Sequence, residues 1–147
     1  STKIGAILSN MKNKEKEALE FYGRNLGLTF QIADDTLDYN SELKLFGKKI
    51  GQDFYEGKVT LPIILLFQKA NKEERDKLKE IFSKKVRSEN ELVYTLSLIK
   101  KYNVIKGCYQ KAEHYINLAS NSLSLFNDCE EKSILENLTS FSLARNF

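Results

Sequence analysis

The sequence predicts an all-α protein, and three observations carry that expectation. Apolar residues recur at steps of three and four along most of the chain. Pro62 is the only proline, and three of the seven glycines, Gly47, Gly51 and Gly57, fall in one short stretch. Asn71 with Glu74, and Ser88 with Glu91, each have the spacing of a capping box, in which side chain and backbone satisfy each other's hydrogen bonds at a helix start. With 147 residues, 41% hydrophobic and 29% charged, the chain is read as one domain, 1–147, able to bury a core.

Taken in order, Ser1-Thr-Lys-Ile-Gly-Ala-Ile-Leu8 reads as the tail of a helix, and residues 13 to 39 as one long helix. A glycine-rich loop follows. Pro62 fits the first turn of the next helix, where a missing N–H costs nothing, so the helix runs 61 to 70 with Thr60 as N-cap. Its run Ile63-Ile-Leu-Leu-Phe67 is apolar nearly all round and should be packed in the core. The two capping boxes start helices at 72 to 84 and 89 to 101. Cys108, Ala112, Tyr115, Ala119, Leu123 and Phe126 form one buried stripe on a helix from 104 to 126. Asp128 caps a last helix whose Ile134, Leu135, Leu138 and Phe141 are expected to face inward.

The long helix carries the most informative residues. In Gly27-Leu-Thr-Phe-Gln-Ile-Ala-Asp-Asp-Thr-Leu-Asp-Tyr39, Gly27, Gln31, Asp34 and Asp38 share one sector of the helical wheel, with Asp35 at its edge. Leu26, Phe30, Ala33 and Leu37 flank it on one side, and Phe21, Leu28, Ile32 and Tyr39 lie on the other. An acidic stripe between two apolar surfaces belongs to a helix inside a bundle. Carboxylates at i and i+4 repel each other, more so where water is excluded, and ask for a cation between them. Mg²⁺ suits one or two carboxylates with water and phosphate oxygens completing its octahedron. A bare DDxxD is most often a solvated acidic turn, so the neighbouring residues decide. The loop beyond Tyr39 brings Lys48, Lys49 and Lys58 beside the acidic end, a pattern suited to an anionic, metal-bound ligand. Each lysine alone would read as a surface charge.

Phe30-Gln31, Asp34-Asp-Thr-Leu-Asp38, Gly47-Lys48, Gly51, Asp53 and Gly57-Lys58-Val-Thr-Leu-Pro62, in this order and at these spacings, resemble the second half of the trans-isoprenyl diphosphate synthases, most nearly the octaprenyl type. The resemblance implies the C-terminal half of an isoprenoid synthase helical bundle, with an incomplete cavity. In that family two aspartate-rich motifs face each other and hold Mg²⁺ against an allylic diphosphate. The allylic C–O bond ionises, isopentenyl diphosphate attacks, and a proton is lost. Carried over by resemblance, Asp34 and Asp38 ligate Mg²⁺ and Asp35 orients or hydrates that site. Lys48 and Lys58 lie near the diphosphates, Gln31 faces the cavity, and Lys49 is a weaker contact. Charge stabilisation by the metal and lysines would do most of the catalysis, and no side-chain nucleophile is required.

Relatives of that family run to about twice this length, the extent of a large domain. The sequence holds no second DDxxD, no upstream Gly-Lys-Arg segment and no arginine pair, and Thr2-Lys3 reverses the family's Lys-Thr order. The chain alone is therefore expected to have little or no activity, and its partners to be the missing N-terminal half or a second polypeptide, as a homo- or hetero-oligomer. A non-catalytic partner that keeps the fold, and a stand-alone Mg²⁺-diphosphate binder, stand beside this reading.

A net charge of +3 is too small and dispersed to indicate nucleic acid. Neither a membrane-length apolar run nor a cleavable signal peptide is seen. Cys108 and Cys129, far apart and without a CxxC partner, read as free thiols in a reducing, cytoplasmic compartment. His114, the only histidine, has no ligand-spaced partner. Tyr102, Tyr109 and Tyr115 read as core or interface residues, and Arg145 as part of a free terminus.

Overall fold

In a computed structural model, which describes residues 2–8, 11–40 and 50–144, every regular element is helical. These are α1 (Thr2–Leu8), α2 (Asn13–Leu37), α3 (Gln52–Glu56), α4 (Leu61–Lys69), α5 (Lys72–Ser83), α6 (Glu89–Lys101), α7 (Val104–Ser122) and α8 (Glu130–Ala144), with a 3₁₀ turn at Leu123–Leu125. They group into two compact units: residues 1–31 with 110–147, and residues 32–109.

In the first unit Tyr22, Leu26, Ala119 and Leu123 form a buried cluster against which Leu19, Phe126 and Leu135 pack. Burying each large side chain of that kind is worth about 1.5–3 kcal/mol. The Tyr22 hydroxyl, removed from water, donates to the Leu135 carbonyl at 2.9 Å. Polar residues on the buried face of α2 turn back on their own helix: Asn25 donates to the Phe21 carbonyl at 2.7 Å and Thr29 to the Asn25 carbonyl at 3.1 Å. Backbone carbonyls thereby meet the hydrogen-bonding needs of residues that would otherwise be costly to bury.

Three apolar residues predicted to be covered on α2 are not: Phe21, Leu28 and Phe30 are 46%, 39% and 41% exposed. On α8 the inward face is likewise different from the expected one. Thr139 and Ser142 are buried, donating to the Glu136 and Leu138 carbonyls, whereas Ile134 and Phe141 are more than half exposed. The cap of α8 also shifts by one residue. Cys129 Sγ accepts the Lys132 N–H at 3.4 Å, while Asp128 spends its carboxylate on Lys132 Nζ at 2.8 Å. The expected stripe on α7 is buried at Cys108, Ala112 and Ala119; Tyr115 is half-buried and Ile116 is buried in addition. His114 is exposed and meets Tyr115 edge-on.

In the second unit both expected capping boxes form: Glu74 N–H donates to Asn71 Oδ1 at 2.9 Å and Glu91 N–H to Ser88 Oγ at 3.4 Å. Glu74 also receives Lys101 Nζ and the Tyr102 hydroxyl, each at 2.6 Å, joining α5 to the end of α6. The α6–α7 turn passes through Asn103 at φ 49°, a left-handed conformation that asparagine tolerates better than most residues. Helix α4 keeps Pro62, Ile63 and Leu66 buried but leaves Ile64 42% exposed. Thr60 is its N-cap by position, yet its hydroxyl makes no capping hydrogen bond.

Candidate active site at the end of α2

The stretch expected to be loop contains a helix, the five-residue α3, and this corrects the sequence reading. Gly51 and Gly57 bracket it at φ 84° and 76°, conformations that L side chains rarely adopt. Gly51 occupies the N-cap but has no side chain to cap with. Asp38, from the end of α2, does that work instead. Its carboxylate accepts the Gln52 N–H at 3.1 Å and the Asp53 N–H at 2.8 Å, and its carbonyl accepts the Gly51 N–H at 2.8 Å.

Asp53 continues the chain of contacts. Its carboxylate pairs with Lys58 Nζ at 3.1 Å, and its carbonyl accepts the Lys58 N–H at 2.9 Å. Lys58 also meets Glu56 at 2.7 Å, while Gln52 donates to the other oxygen of Glu56 at 2.9 Å. These pairs raise the affinity of the Lys58 ammonium for its proton, with Glu56 contributing most and Asp53 next. They hold Glu56 below the usual carboxylate range, through Lys58 first. Lys58 is held by carboxylates of its own chain.

Asp34 is exposed on α2, Asp35 is half-buried, and Gln31 is exposed. Lys48 and Lys49 lie outside the described residues. The structure therefore brings together Asp38, Asp53, Glu56 and Lys58, with Asp34 one turn earlier on the helix that carries Asp38. Tyr39 is buried beside this group. Burial, then Asp38 and Asp53, strongly disfavours ionisation of its phenol. Its hydroxyl and that of Thr60 are neighbours, both buried without a well-formed hydrogen bond. A cavity of about 380 Å³ opens where Tyr39 and Asn40 face Ile99, Lys100 and Asn103, and none of the aspartates or Lys58 is among its described lining residues.

Among the described residues no three histidine, cysteine, aspartate or glutamate side chains converge on one metal position. The donor chemistry nonetheless suits Mg²⁺. Asp34 and Asp38 offer hard oxygen donors one helical turn apart, and this ion is commonly held by one or two carboxylates with water and phosphate filling the remainder. Asp53 and Glu56 were not singled out as site residues from sequence. The signal available for them was their position, five and two residues before Lys58 in a glycine-bracketed segment.

The sequence profile of the polyprenyl synthetase family matches residues 1–99. The chain belongs to that family. It is 30% identical over 145 residues to the short chain isoprenyl diphosphate synthase of Methanothermobacter thermautotrophicus, covering 99% of this chain and 44% of that protein. Among solved structures, a decaprenyl diphosphate synthase from Rhodobacter capsulatus superposes with a TM-score of 0.90 at 29% identity, over 99% of this chain and 45% of the other. A polyprenyl synthase from Caulobacter crescentus, whose structure holds calcium and isoprenyl diphosphate, superposes with a TM-score of 0.83 at 31% identity, over 99% and 44%. The polyprenyl synthetase relatives extend from short-chain to solanesyl and octaprenyl synthases with no clear preference, so the particular likeness to the octaprenyl type does not stand out. The chain spans less than half the length of the curated relatives it matches. Among the described residues no helix is long and apolar enough to cross a membrane.

Proposed function

We propose that this chain supplies the second aspartate-rich half of a polyprenyl diphosphate synthase, condensing isopentenyl diphosphate with an allylic diphosphate in a cytoplasmic setting. The observation that carries the reading is the linked group at the end of α2, in which Asp38 fixes α3, and α3 with the turn that follows it presents Asp53 and Lys58. Asp34 and Asp38 would hold Mg²⁺, with Asp35 orienting the site. The metal would supply neutralisation of diphosphate charge as the allylic C–O bond breaks. Lys58, and Lys48 and Lys49 from the adjoining segment, would bind diphosphate oxygens as point charges, and Gln31 would face the substrate. For Lys58 this requires exchanging Asp53 and Glu56 for phosphate oxygens, a like-for-like replacement of one anionic partner by another.

The relatives' greater length supports a further segment completing the cage, either in a longer form of this chain or in a second polypeptide. Exposure of Phe21, Leu28, Phe30, Ile134 and Phe141 is consistent with such a partner. A second reading, a non-catalytic partner that keeps the fold, is favoured by the use of both Asp38 carboxylate oxygens on backbone N–H groups.

The deciding experiment measures incorporation of labelled isopentenyl diphosphate with farnesyl diphosphate and Mg²⁺, using this chain with and without a separately produced N-terminal half of a relative. Product is expected only on mixing and lost with Asp34→Ala. No product in any combination, with association intact, would establish the non-catalytic reading.

A further inference from the structure

We infer that Arg87 is a positioning residue for Lys58: its guanidinium clamps the turn at Gly57 that carries this lysine toward an incoming diphosphate. The inference rests on Lys58 as a diphosphate contact, the reading given above.

Arg87 lies in the connection between α5 and α6 and is only 8% exposed. A buried cation ordinarily has an anionic partner, because an unpaired charge is costly away from water. Among the described residues none of the ion pairs includes Arg87. It spends its donors on carbonyl groups instead. Nη2 donates to the Phe82 carbonyl at 2.8 Å and Nη1 makes a longer bond to the Tyr55 carbonyl at 3.4 Å, while Nε is buried without a partner. The rings of Phe82 and Phe54 face the guanidinium carbon at 5.3 and 6.0 Å, so aromatic quadrupoles supply part of the missing negative charge.

What this arrangement holds is the exit from α3. Tyr55 lies in the last turn, where carbonyls lack intrahelical partners, and Arg87 satisfies one of them. The same guanidinium lies close against Gly57: a Cβ there would sit 2.8 and 2.9 Å from Nη2 and Nη1. Gly57 leaves the helix at φ 76°, and its N–H bonds to Phe54 while the Lys58 N–H bonds to Asp53. The chain therefore turns back over α3, and the Lys58 side chain meets Asp53 and Glu56. A planar fork reaching two carbonyls and stacking on rings is a task for arginine that lysine cannot reproduce.

The test uses the full chain carrying Arg87→Met, Arg87→Lys and Lys58→Met, with Arg87→Met/Lys58→Met as the double variant. Binding of inorganic diphosphate with Mg²⁺ is measured by calorimetry, and the Lys58 Nζ and Cε resonances by NMR at neutral pH. Arg87→Met should shift the Lys58 resonances and weaken diphosphate binding by about tenfold, with Arg87→Lys failing to restore either; the double variant should bind no more weakly than Lys58→Met, since residues acting through one another are not additive. Additive losses, or Lys58 resonances unmoved by either Arg87 substitution, would overturn the inference. If the unmodified chain binds no diphosphate, the functional reading fails, and the Lys58 resonances alone judge Arg87. If Arg87→Met does not fold, Arg87→Lys, which keeps charge and most of the volume, carries the same readouts.

Discussion

Asp38 accepts the backbone N–H of Asp53 at 2.8 Å, so the third aspartate of the acidic motif acts as the missing cap of a helix that begins fourteen residues later. Asp34, one turn earlier on α2, is exposed. Two residues assigned the same role by their motif thus differ in their contribution to stability. Asp38→Ala should cost about 1–2 kcal/mol, the range for a lost helix cap with charge-assisted hydrogen bonds, whereas Asp34→Ala should stay within about 0.5 kcal/mol. Urea denaturation of both variants checks this, and equal losses would refute the capping role.

Gly51 is the second test of the same junction. It holds φ 84°, and a Cβ there would meet Leu92 side-chain carbons at 2.7 and 2.9 Å. Leu92 is buried and has little room to yield. Gly51→Ala should destabilise the chain by about 2 kcal/mol, the left-handed penalty augmented by crowding. A thermal midpoint unchanged from the parent would contradict it.

Acid should loosen the α5–α6 pairing through Glu74 and Glu91. Lys101, then Tyr102, hold the Glu74 carboxyl at about 2 against an ordinary 4.5, and Lys84, then Ser88, do the same for Glu91. Because the folded state favours the ionised form of each, their stabilising effect is complete above 4.5 and is lost as pH falls toward about 2. The difference in unfolding midpoint between the parent and Glu74→Gln should shrink across that interval. A difference that stayed constant with pH would show that proton linkage at Glu74 is not involved.

The two thiols should react differently. Cys108 is buried and burial pushes its thiol up to about 11, whereas Cys129 is exposed at the start of α8. A thiol-specific reagent at neutral pH should label only Cys129 in the folded chain, and Cys108 only after denaturation. Rapid labelling of Cys108 in the native state would mean that α7 opens locally.

Self-association should follow from the partly exposed apolar side chains of α8. Ile134 and Phe141 are 58% and 56% exposed on α8. Replacing both with glutamine should lower hydrophobic-dye binding and reduce association in sedimentation, while changing stability by less than about 0.5 kcal/mol per site. An unaltered, monomeric parent chain that binds no dye would remove the basis for a docking partner on this helix.

Much of this arrangement was legible in the sequence wherever the determinant was local. Asn71 and Glu74, or Ser88 and Glu91, sit three residues apart and specify a helix start without help from elsewhere. The motif residues of the acidic helix were legible for the same reason. Helix α3 was not, because its cap is supplied by Asp38 across a segment of chain, and glycines at both ends make the stretch read as loop. The facing of α8 was missed because Thr139 and Ser142 satisfy their hydroxyls on their own helix and can be buried in place of larger apolar residues. Asp128 looked like the stronger cap by residue type, but Lys132 engages it and Cys129 takes the position. Arg87 gave no signal at all: a single arginine in a basic connection reads as a surface charge until its neighbours are placed.

The Tyr22 hydroxyl reaches the Leu135 carbonyl, a partner 113 residues further along the chain. The unit that contains this bond is built from 1–31 and 110–147, while 32–109 is continuous. On a ribosome this sets an order of events. The continuous unit has its whole sequence available once Tyr109 is made, whereas the buried face of α2's opening half must wait for Ala119, Leu123 and then Leu135. Tyr22 and Leu26 therefore stay uncovered on a nascent chain while the whole of 32–109 is made.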